Sequence, residues 1–343
     1  MTRLLWAIVT AALGFTLSIP FVASDSATAS TCALADDGAV IVETCPGADL
    51  GERIEAAEAV SNPSGVIRVL APATWTTPVT LYGRVLVFGA GTFTYSGTAE
   101  PAIELRNSTV RGAAWGQTLV NSATVTGIVG AGGSQHAISI KDISIESTGT
   151  AGKPLMSLGR SYVGAVVSNV QAKLSGQAVP ALYVGGTNWG PVTVEDLWIR
   201  GSGVDNVLIE SPTVWGGGGQ AFLSRVTTEG WGDSYAGIHV KGVDGGGYIT
   251  SVRDTHCEVG TPVNGDACIR TNVRVKVDST VMFGSYPNPA VTCAVVNITA
   301  PPAWNATYSA SVEMAYAHVG CATIRNDQTA AVVSGPVVRY EVP

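Results

Sequence analysis

The sequence predicts an all-β chain that winds as a parallel β-helix, a solenoid of stacked coils, with a short N-terminal capping helix. Short β-like runs separated by Gly, Ser, Asn and Pro fill the chain after residue 65 and indicate many short strands. Five similar segments repeat at spacings of 27, 27, 29 and 29 residues, measured between Ile143, Val170, Leu197, Val226 and Thr255. Such a unit is short for a strand–helix–strand repeat and suits one coil of short strands joined by turns.

The chain begins with a targeting pattern. Arg3 precedes an apolar run from Leu4 to Val22, and Ala27-Thr28-Ala29 supplies a small-x-small cleavage site. This pattern predicts a secretory signal peptide over residues 1–29 and a secreted mature chain, with a membrane anchor as the alternative. No later stretch is long and apolar enough to span a bilayer, so we expect no membrane span after cleavage.

All six cysteines follow the predicted signal peptide, and an even number in an exported chain favours disulfides. Their spacing does not match a zinc site, because no CxxC pair occurs. Proximity in the sequence favours three pairs, although other connectivities are open. The favoured pairs are Cys32–Cys45, Cys257–Cys268 and Cys293–Cys321. The first would pin the segment 30–48 that precedes the predicted helix.

One segment has a helical pattern. Asp49 followed by Glu52 matches the start of a capping box, and Ile54, Ala57 and Val60 form a narrow apolar stripe. We expect this helix to cover the open first coil, because a solenoid end exposes its core and its strand edges. The helix and the solenoid then occupy residues 49–290, and residues 291–343 form the terminal coils and a C-terminal cap.

A second set of equivalent residues supports the stacking. Val207, Ile238 and Ile269 recur at spacings of 31 and 31 residues, so at least two strands of each coil keep register. In the five similar segments, apolar or small residues alternate with polar ones, which predicts one buried and one exposed face. The predicted outward residues are Asp142, Ser144, Glu146, Asn169, Gln171, Lys173, Asp196, Trp198, Arg200, Arg225, Thr227, Glu229, Asp254, His256 and Glu258.

The chain resembles a known group of proteins. The stretch DLGERIEAAEAV (residues 49–60), followed by GVIRVLAPATW (residues 65–75), is similar to the opening of proteins in the pectate lyase superfamily, within the pectin-lyase-like group of secreted right-handed parallel β-helices. The resemblance covers roughly residues 47–290. It implies a right-handed solenoid, monomeric or trimeric, that acts as a polysaccharide lyase, a glycoside hydrolase or a non-catalytic tailspike or adhesin.

The family's catalytic motifs are not reproduced. NGDACIR comes closest to a polygalacturonase-type Gly-Asp-Asp-Cys motif through Asp266 and Cys268, but Ala267 replaces the second carboxylate. The other polygalacturonase motifs are absent. A lyase of this group would use Ca²⁺, and the carboxylates for it are present without a diagnostic motif. We therefore predict no defined metal site.

The predicted stacking brings outward polar residues of neighbouring coils together. Asp196–Arg225–Asp254 and Arg200–Glu229–Glu258 form two rows, and the second row holds adjacent carboxylates, which suit glycoside hydrolysis if they are not merely solvated. The catalytic candidates are Glu229, Glu258, His256 and Arg225. The substrate-binding candidates are Trp198, Trp231, Arg200, Asp254, His239 and Arg270.

Two functions remain open at this stage. The chain binds, or binds and cleaves, a polysaccharide or cell-surface glycan on its outward face, or it is a non-catalytic surface or adhesion protein that binds glycans or has a structural role. Exposed tryptophans favour sugar stacking in either case. The formal net charge of -7 argues against nucleic acid as a partner.

Overall fold

A computed structural model describes most of the chain after residue 31. The described residues are 32–62, 65–113, 117–122, 125–130, 137–148, 152–159, 164–174, 179–185, 190–201, 205–211, 220–230, 235–242, 249–259, 266–273, 275–284, 293–299, 311–312, 315–317 and 322–326. The predicted signal peptide, Trp231 and Cys321 lie outside them. Among the described residues, no helix is long and apolar enough to cross a membrane.

The described elements are short strands, one 3₁₀ turn (Val42–Thr44) and one helix, α1 (Leu50–Val60). The strands of the first half are β1 (Val40–Ile41), β2 (Val66–Val69), β3 (Thr74–Trp75), β4 (Val79–Tyr82), β5 (Val85–Phe88), β6 (Gly91–Tyr95), β7 (Ile103–Arg106), β8 (Thr109–Gly112), β9 (Gln117–Ser122), β10 (Ile128–Gly130), β11 (Ala137–Thr148), β12 (Met156–Leu158) and β13 (Gly164–Lys173). Those of the second half are β14 (Leu182–Val184), β15 (Val192–Arg200), β16 (Asp205–Ser211), β17 (Gln220–Gly230), β18 (Ala236–Gly242), β19 (Ile249–Val259), β20 (Ala267–Thr271), β21 (Val275–Gly284), β22 (Ala294–Ile298), β23 (Ser311–Val312), β24 (Ala315–Ala317) and β25 (Ala322–Asn326).

These strands form two parallel sheets, and the chain alternates between them as it winds. The first sheet has 15 strands, with the path β1-β2-β5-β8-β11-β13-β15-β17-β19-β21-β23 and side pairings of β3, β6, β9 and β24. The second sheet has ten strands, in the order β25-β22-β20-β18-β16-β14-β12-β10-β7-β4. Each strand pairs with its equivalent one coil away, which confirms the predicted parallel solenoid. Strands β22 to β25 continue both sheets beyond residue 290.

The predicted register is confirmed along both columns. In the first sheet, Ile143 lies opposite Val170, Val170 opposite Leu197, and Leu197 opposite Val226. The next pair of strands matches Thr227 with His256, the same 29-residue offset. In the second sheet, Val207 pairs with Ile238 and Ile238 with Ile269. All the predicted inward residues of these columns are buried in the core, including Thr255 and Cys257.

The long strands of the first sheet bend at one residue each, which the sequence interpretation missed. The bend residues have positive φ, between 48° and 55°, and they are Asp142, Asn169, Asp196, Arg225, Asp254 and Ser279. The alternation of buried and exposed residues shifts by one at each bend, so that two consecutive residues point outward there, as at Ser168 and Asn169. Asp254 is therefore a corner residue and does not share one extended segment with His256 and Glu258.

The N-terminal helix begins as predicted. Oδ1 of Asp49 accepts a 3.0 Å hydrogen bond from the Glu52 amide, and Oε2 of Glu52 accepts one from the Ala48 amide. Oδ2 of Asp49 also accepts from the amides of Thr76 and Thr77, which tie the helix to the first coil. Burial alone would raise the pKa of Asp49, but these amides outweigh it and hold the pKa well below its ordinary value.

Two predicted disulfides are confirmed. Cys32 pairs with Cys45 beside the helix, and Cys257 pairs with Cys268 inside the solenoid, where both residues are fully buried. The second bond joins the first sheet to the second sheet across the core, because Cys257 lies in β19 and Cys268 in β20. Cys293 is disulfide-bonded too, and the predicted pairing with Cys321 remains a prediction.

Candidate functional site

The outward side chains beyond the bend of the first sheet form one continuous surface, the Trp198 face. It contains two columns, in which each residue lies opposite the next one coil away. They are Ser144, Gln171, Trp198, Thr227 and His256 in the first column, and Glu146, Lys173, Arg200, Glu229 and Glu258 in the second. Adjacent strands in a sheet lie ~4.8 Å apart, so residues 27 to 29 positions apart in sequence become direct neighbours here.

Trp198 is fixed on this face by a carboxylate of the next coil. Its indole Nε1 donates a 2.8 Å hydrogen bond to Oε1 of Glu229, and Arg200 Nε lies 3.2 Å from Oε2 of the same carboxylate. The Trp198 residue is nevertheless 41% exposed, whereas the Glu229 side chain is only 18% exposed. The arrangement holds an aromatic ring in a set orientation at the surface.

A shallow depression of about 180 Å³ adjoins the tryptophan. Its outward lining consists of Ser144, Glu146, Gln171, Lys173, Trp198 and Arg200. Lys173 and Arg200 lie side by side in neighbouring coils, and Lys173 Nζ is 3.7 Å from Oε2 of Glu146. Aromatic, amide and guanidinium groups thus converge on one concave patch of the sheet.

The adjacent carboxylates Glu229 and Glu258 each lie beside a different neighbour. They lie opposite each other in β17 and β19, where like charges would otherwise repel. Arg200 contacts Glu229, and His256 Nε2 lies 3.3 Å from Oε1 of Glu258, outside hydrogen-bonding geometry. The His256 ring also packs against Phe283, with ring centroids 4.6 Å apart. Glu258 is half exposed, so it is the more accessible carboxylate of the two.

Arg225 and Asp196 form a pair at the bend rather than on the Trp198 face. Arg225 Nε and Nη2 donate to the two carboxylate oxygens of Asp196 at 2.6 and 2.9 Å. This pairing lowers the pKa of Asp196 and raises that of Arg225. The pair holds two corner residues of neighbouring coils together, which gives Arg225 a structural role in the row that contains Asp254.

His239 and Arg270 lie on the second sheet, away from the Trp198 face. They pair in register as predicted, and both contact Asp205. His239 Nδ1 is 2.8 Å from Oδ2 of Asp205, and Arg270 Nη1 is 3.7 Å from its Oδ1. All three side chains are largely buried. The binding and catalytic candidates predicted over residues 196–270 are therefore divided between two sheets and a corner.

No metal site emerges from the residues that the structure describes, since they contain no group of three or more His, Cys, Asp or Glu side chains that could hold an ion. Asp266, from the motif closest to a polygalacturonase signature, is buried, and its Oδ1 accepts a hydrogen bond from the Tyr235 amide. Its neighbour Cys268 is in a disulfide. Both residues of this motif therefore have structural partners.

Comparison with known proteins finds no matching family model, no similar curated protein and no similar solved structure. The fold agrees with the parallel solenoid that the sequence resemblance implied, and its right-handedness stays a prediction. Membership of the pectin-lyase-like group stays a prediction.

Proposed function

We propose that this chain is a secreted, carbohydrate-binding β-solenoid of the pectin-lyase-like type, and that it binds a polysaccharide or cell-surface glycan on the Trp198 face. The observation that carries the proposal is the exposed Trp198 ring, fixed by Glu229 and Arg200 beside a polar depression. Secretion is supported by the predicted signal peptide and by the disulfides Cys32–Cys45 and Cys257–Cys268.

The orientation of the tryptophan favours sugar binding over a purely structural role. Sugar rings present apolar CH faces, which stack on the π face of an indole. A ring that is already held in place loses little conformational freedom when a ligand binds, so more of the contact energy appears as affinity. A tryptophan that only shielded the sheet would be folded away from solvent.

The surrounding polar residues suit the hydroxyl groups of the same ligand. Gln171 supplies both donors and acceptors, and Lys173 and Arg200 supply donors. Gln171 and Lys173 lie in β13, and Arg200 lies in β15, one coil further along the solenoid axis, so an extended chain can contact several of them at once. Oligosaccharide affinity should then rise with chain length until the columns are filled.

Cleavage is a second candidate function, supported by the neighbouring carboxylates. Glu229 and Glu258 occupy adjacent strands, ~4.8 Å apart at their backbones, and retaining glycoside hydrolases hold their two carboxyl groups ~5–5.5 Å apart. His256 beside Glu258 is a general acid–base candidate by type. Against a catalytic role, Glu229 already contacts Trp198 and Arg200 with its two oxygens.

The binding proposal is tested by calorimetric titration of a polysaccharide panel against the secreted protein and two variants. Trp198→Ala removes the proposed stacking ring and should weaken binding about tenfold. Phe222→Ala is the matched control, because Phe222 is similarly exposed, at 44%, but lies before the bend on a different face. Equal affinities of Trp198→Ala and wild type would refute binding on the Trp198 face.

The cleavage candidate is tested on the same panel by assaying reducing ends and unsaturated products. If the carboxylates act in catalysis, Glu229→Gln, Glu258→Gln and His256→Ala should each abolish most of the turnover while the protein stays folded. Turnover that survives all three changes would remove these residues from the reaction. Binding without any turnover would favour the non-catalytic adhesion role.

A further inference from the structure

A second aromatic cluster lies on the other sheet of the solenoid. The hydroxyl of Tyr183 donates a 3.2 Å hydrogen bond to Oε2 of Glu210, and Lys241 Nζ donates at 2.9 Å to Oε1 of the same carboxylate. The tyrosine ring lies directly over Gly185, where an added Cβ would collide with Cζ and Cε1 of the ring. The ring therefore rests against bare backbone, held by its hydroxyl.

The Tyr183 cluster (Tyr183, Glu210 and Lys241) has the same arrangement of side chains as Trp198, Glu229 and Arg200 on the first sheet. In both, an aromatic side chain donates to a glutamate one coil further along, and a cation contacts the other glutamate oxygen. Tyr183 lies in β14 and Trp198 lies in β15, the next strand of the same coil. One coil thus carries an oriented aromatic ring on each of the two sheets.

Tyr183 is partly buried, and a more exposed tyrosine on the second sheet lacks this arrangement. Arg106 places its guanidinium carbon 4.9 Å from the centre of the Tyr82 ring and donates at 2.7 Å to the Tyr82 hydroxyl. Tyr82 is 49% exposed, and its hydroxyl is held by a cation, whereas the hydroxyl of Tyr183 donates to a glutamate. Tyr82 is therefore an internal control for an exposed aromatic residue of the same sheet that is held by a cation rather than by a glutamate.

We infer that Tyr183, Glu210 and Lys241 form a second carbohydrate-binding site, and that the molecule bridges two polysaccharide segments. The inference rests on the proposed function, because it assigns the same ligand class to both sites. Two sites on different sheets face different directions, so separate chains can occupy them. Bridging would make the solenoid a cross-linker of a polysaccharide matrix, a role that a single binding face does not provide.

The second site is tested by calorimetric stoichiometry with a short oligosaccharide from the panel. Wild type and Tyr82→Ala should bind two molecules per chain, whereas Tyr183→Ala should bind one. Gly185→Ala keeps every functional group but displaces the ring, and it should also bind one. Two bound molecules in both Tyr183→Ala and Gly185→Ala would overturn the inference.

Bridging is tested by the turbidity of long polysaccharide mixed with protein. Wild type should produce turbidity that peaks at an intermediate protein ratio, and Trp198→Ala or Tyr183→Ala should each abolish it while retaining one site. If Trp198→Ala removes all binding and Tyr183→Ala behaves as wild type, the proposed function stands and the second site fails. If Trp198→Ala has no effect on binding, the proposed function itself fails.

Discussion

The indole Nε1 of Trp198 lies 2.8 Å from Oε1 of Glu229, a residue 31 positions later in the sequence and one coil further along the solenoid. The hydrogen bond makes the glutamate a support for the aromatic ring. Arg200 contacts the second oxygen of Glu229, and this positive charge explains how Glu229 can lie next to the carboxylate of Glu258 on an exposed sheet. The same contacts reduce the freedom of Glu229 to act as a nucleophile.

Substitution of Glu229 should therefore weaken ligand binding, because it removes the support of the Trp198 ring. Glu229→Gln keeps an oxygen that can accept from the indole, and we expect a loss of affinity of about threefold or less. Glu229→Ala releases the ring and should weaken binding by about threefold to tenfold, the energy of one hydrogen bond. Titration with the best oligosaccharide measures both. Equal affinity of Glu229→Ala and wild type would show that the support is unimportant.

The bend residues should tolerate only certain substitutions. Asn169 has φ of 55°, a left-handed conformation that costs a β-branched residue about 1–2 kcal/mol. Asn169→Val should lower the free energy of unfolding by that amount or more, because it also removes the 2.7 Å hydrogen bond to Asp142. Gln171→Val, two residues away on extended backbone, is the control and should be nearly neutral. Urea denaturation compares them, and equal effects would contradict the bend.

The N-cap carboxylate should make stability depend on acid pH. The pKa of Asp49 is lowered in the folded protein, so its contribution is complete above the unfolded value of about 4 and is lost as the pH falls through the folded value. Asp49→Ala should cost about 1–2 kcal/mol at pH 7, and this difference should shrink at pH 3. Asp36→Ala, at an exposed turn, provides the control. If the difference in unfolding free energy between Asp49→Ala and wild type stayed the same from pH 7 to pH 3, the lowered pKa of Asp49 would be contradicted.

The two described disulfides should differ in their access to reductant. Cys257 and Cys268 are completely buried, whereas Cys32 is partly exposed. Mild reduction of the native protein, followed by alkylation and mass spectrometry, should label Cys32 and Cys45 while the core pair stays intact. Simultaneous labelling of both pairs in folded protein would contradict the core position of Cys257–Cys268.

Much of the fold could be predicted because the coil repeat places chemically similar residues at regular spacings. The apolar residues Val170, Leu197 and Val226 identified the register of the first sheet, since any one-residue slip would have buried charges. The start of the helix could be predicted equally well, because Asp49 and Glu52 form a local sequence motif. Such signals depend only on periodicity and neighbouring residues.

The bends and the second aromatic site could not be predicted, because no short-range sequence pattern encodes them. Arg225 and Ser279 share a left-handed conformation with Asp142, although arginine and serine rarely adopt it alone. The shift of alternation at each bend separated Asp254 from His256. Tyr183 and Glu210 were missed because their only signal is a 27-residue separation, equal to one coil, between residues of different types.

The most direct test of the account is a crystal structure of the protein with an oligosaccharide from the panel. We expect a sugar ring stacked on the indole of Trp198, with its hydroxyls contacting Gln171, Lys173 or Arg200. A bound ligand that leaves the Trp198 ring exposed to solvent and occupies a different surface would contradict the central claim.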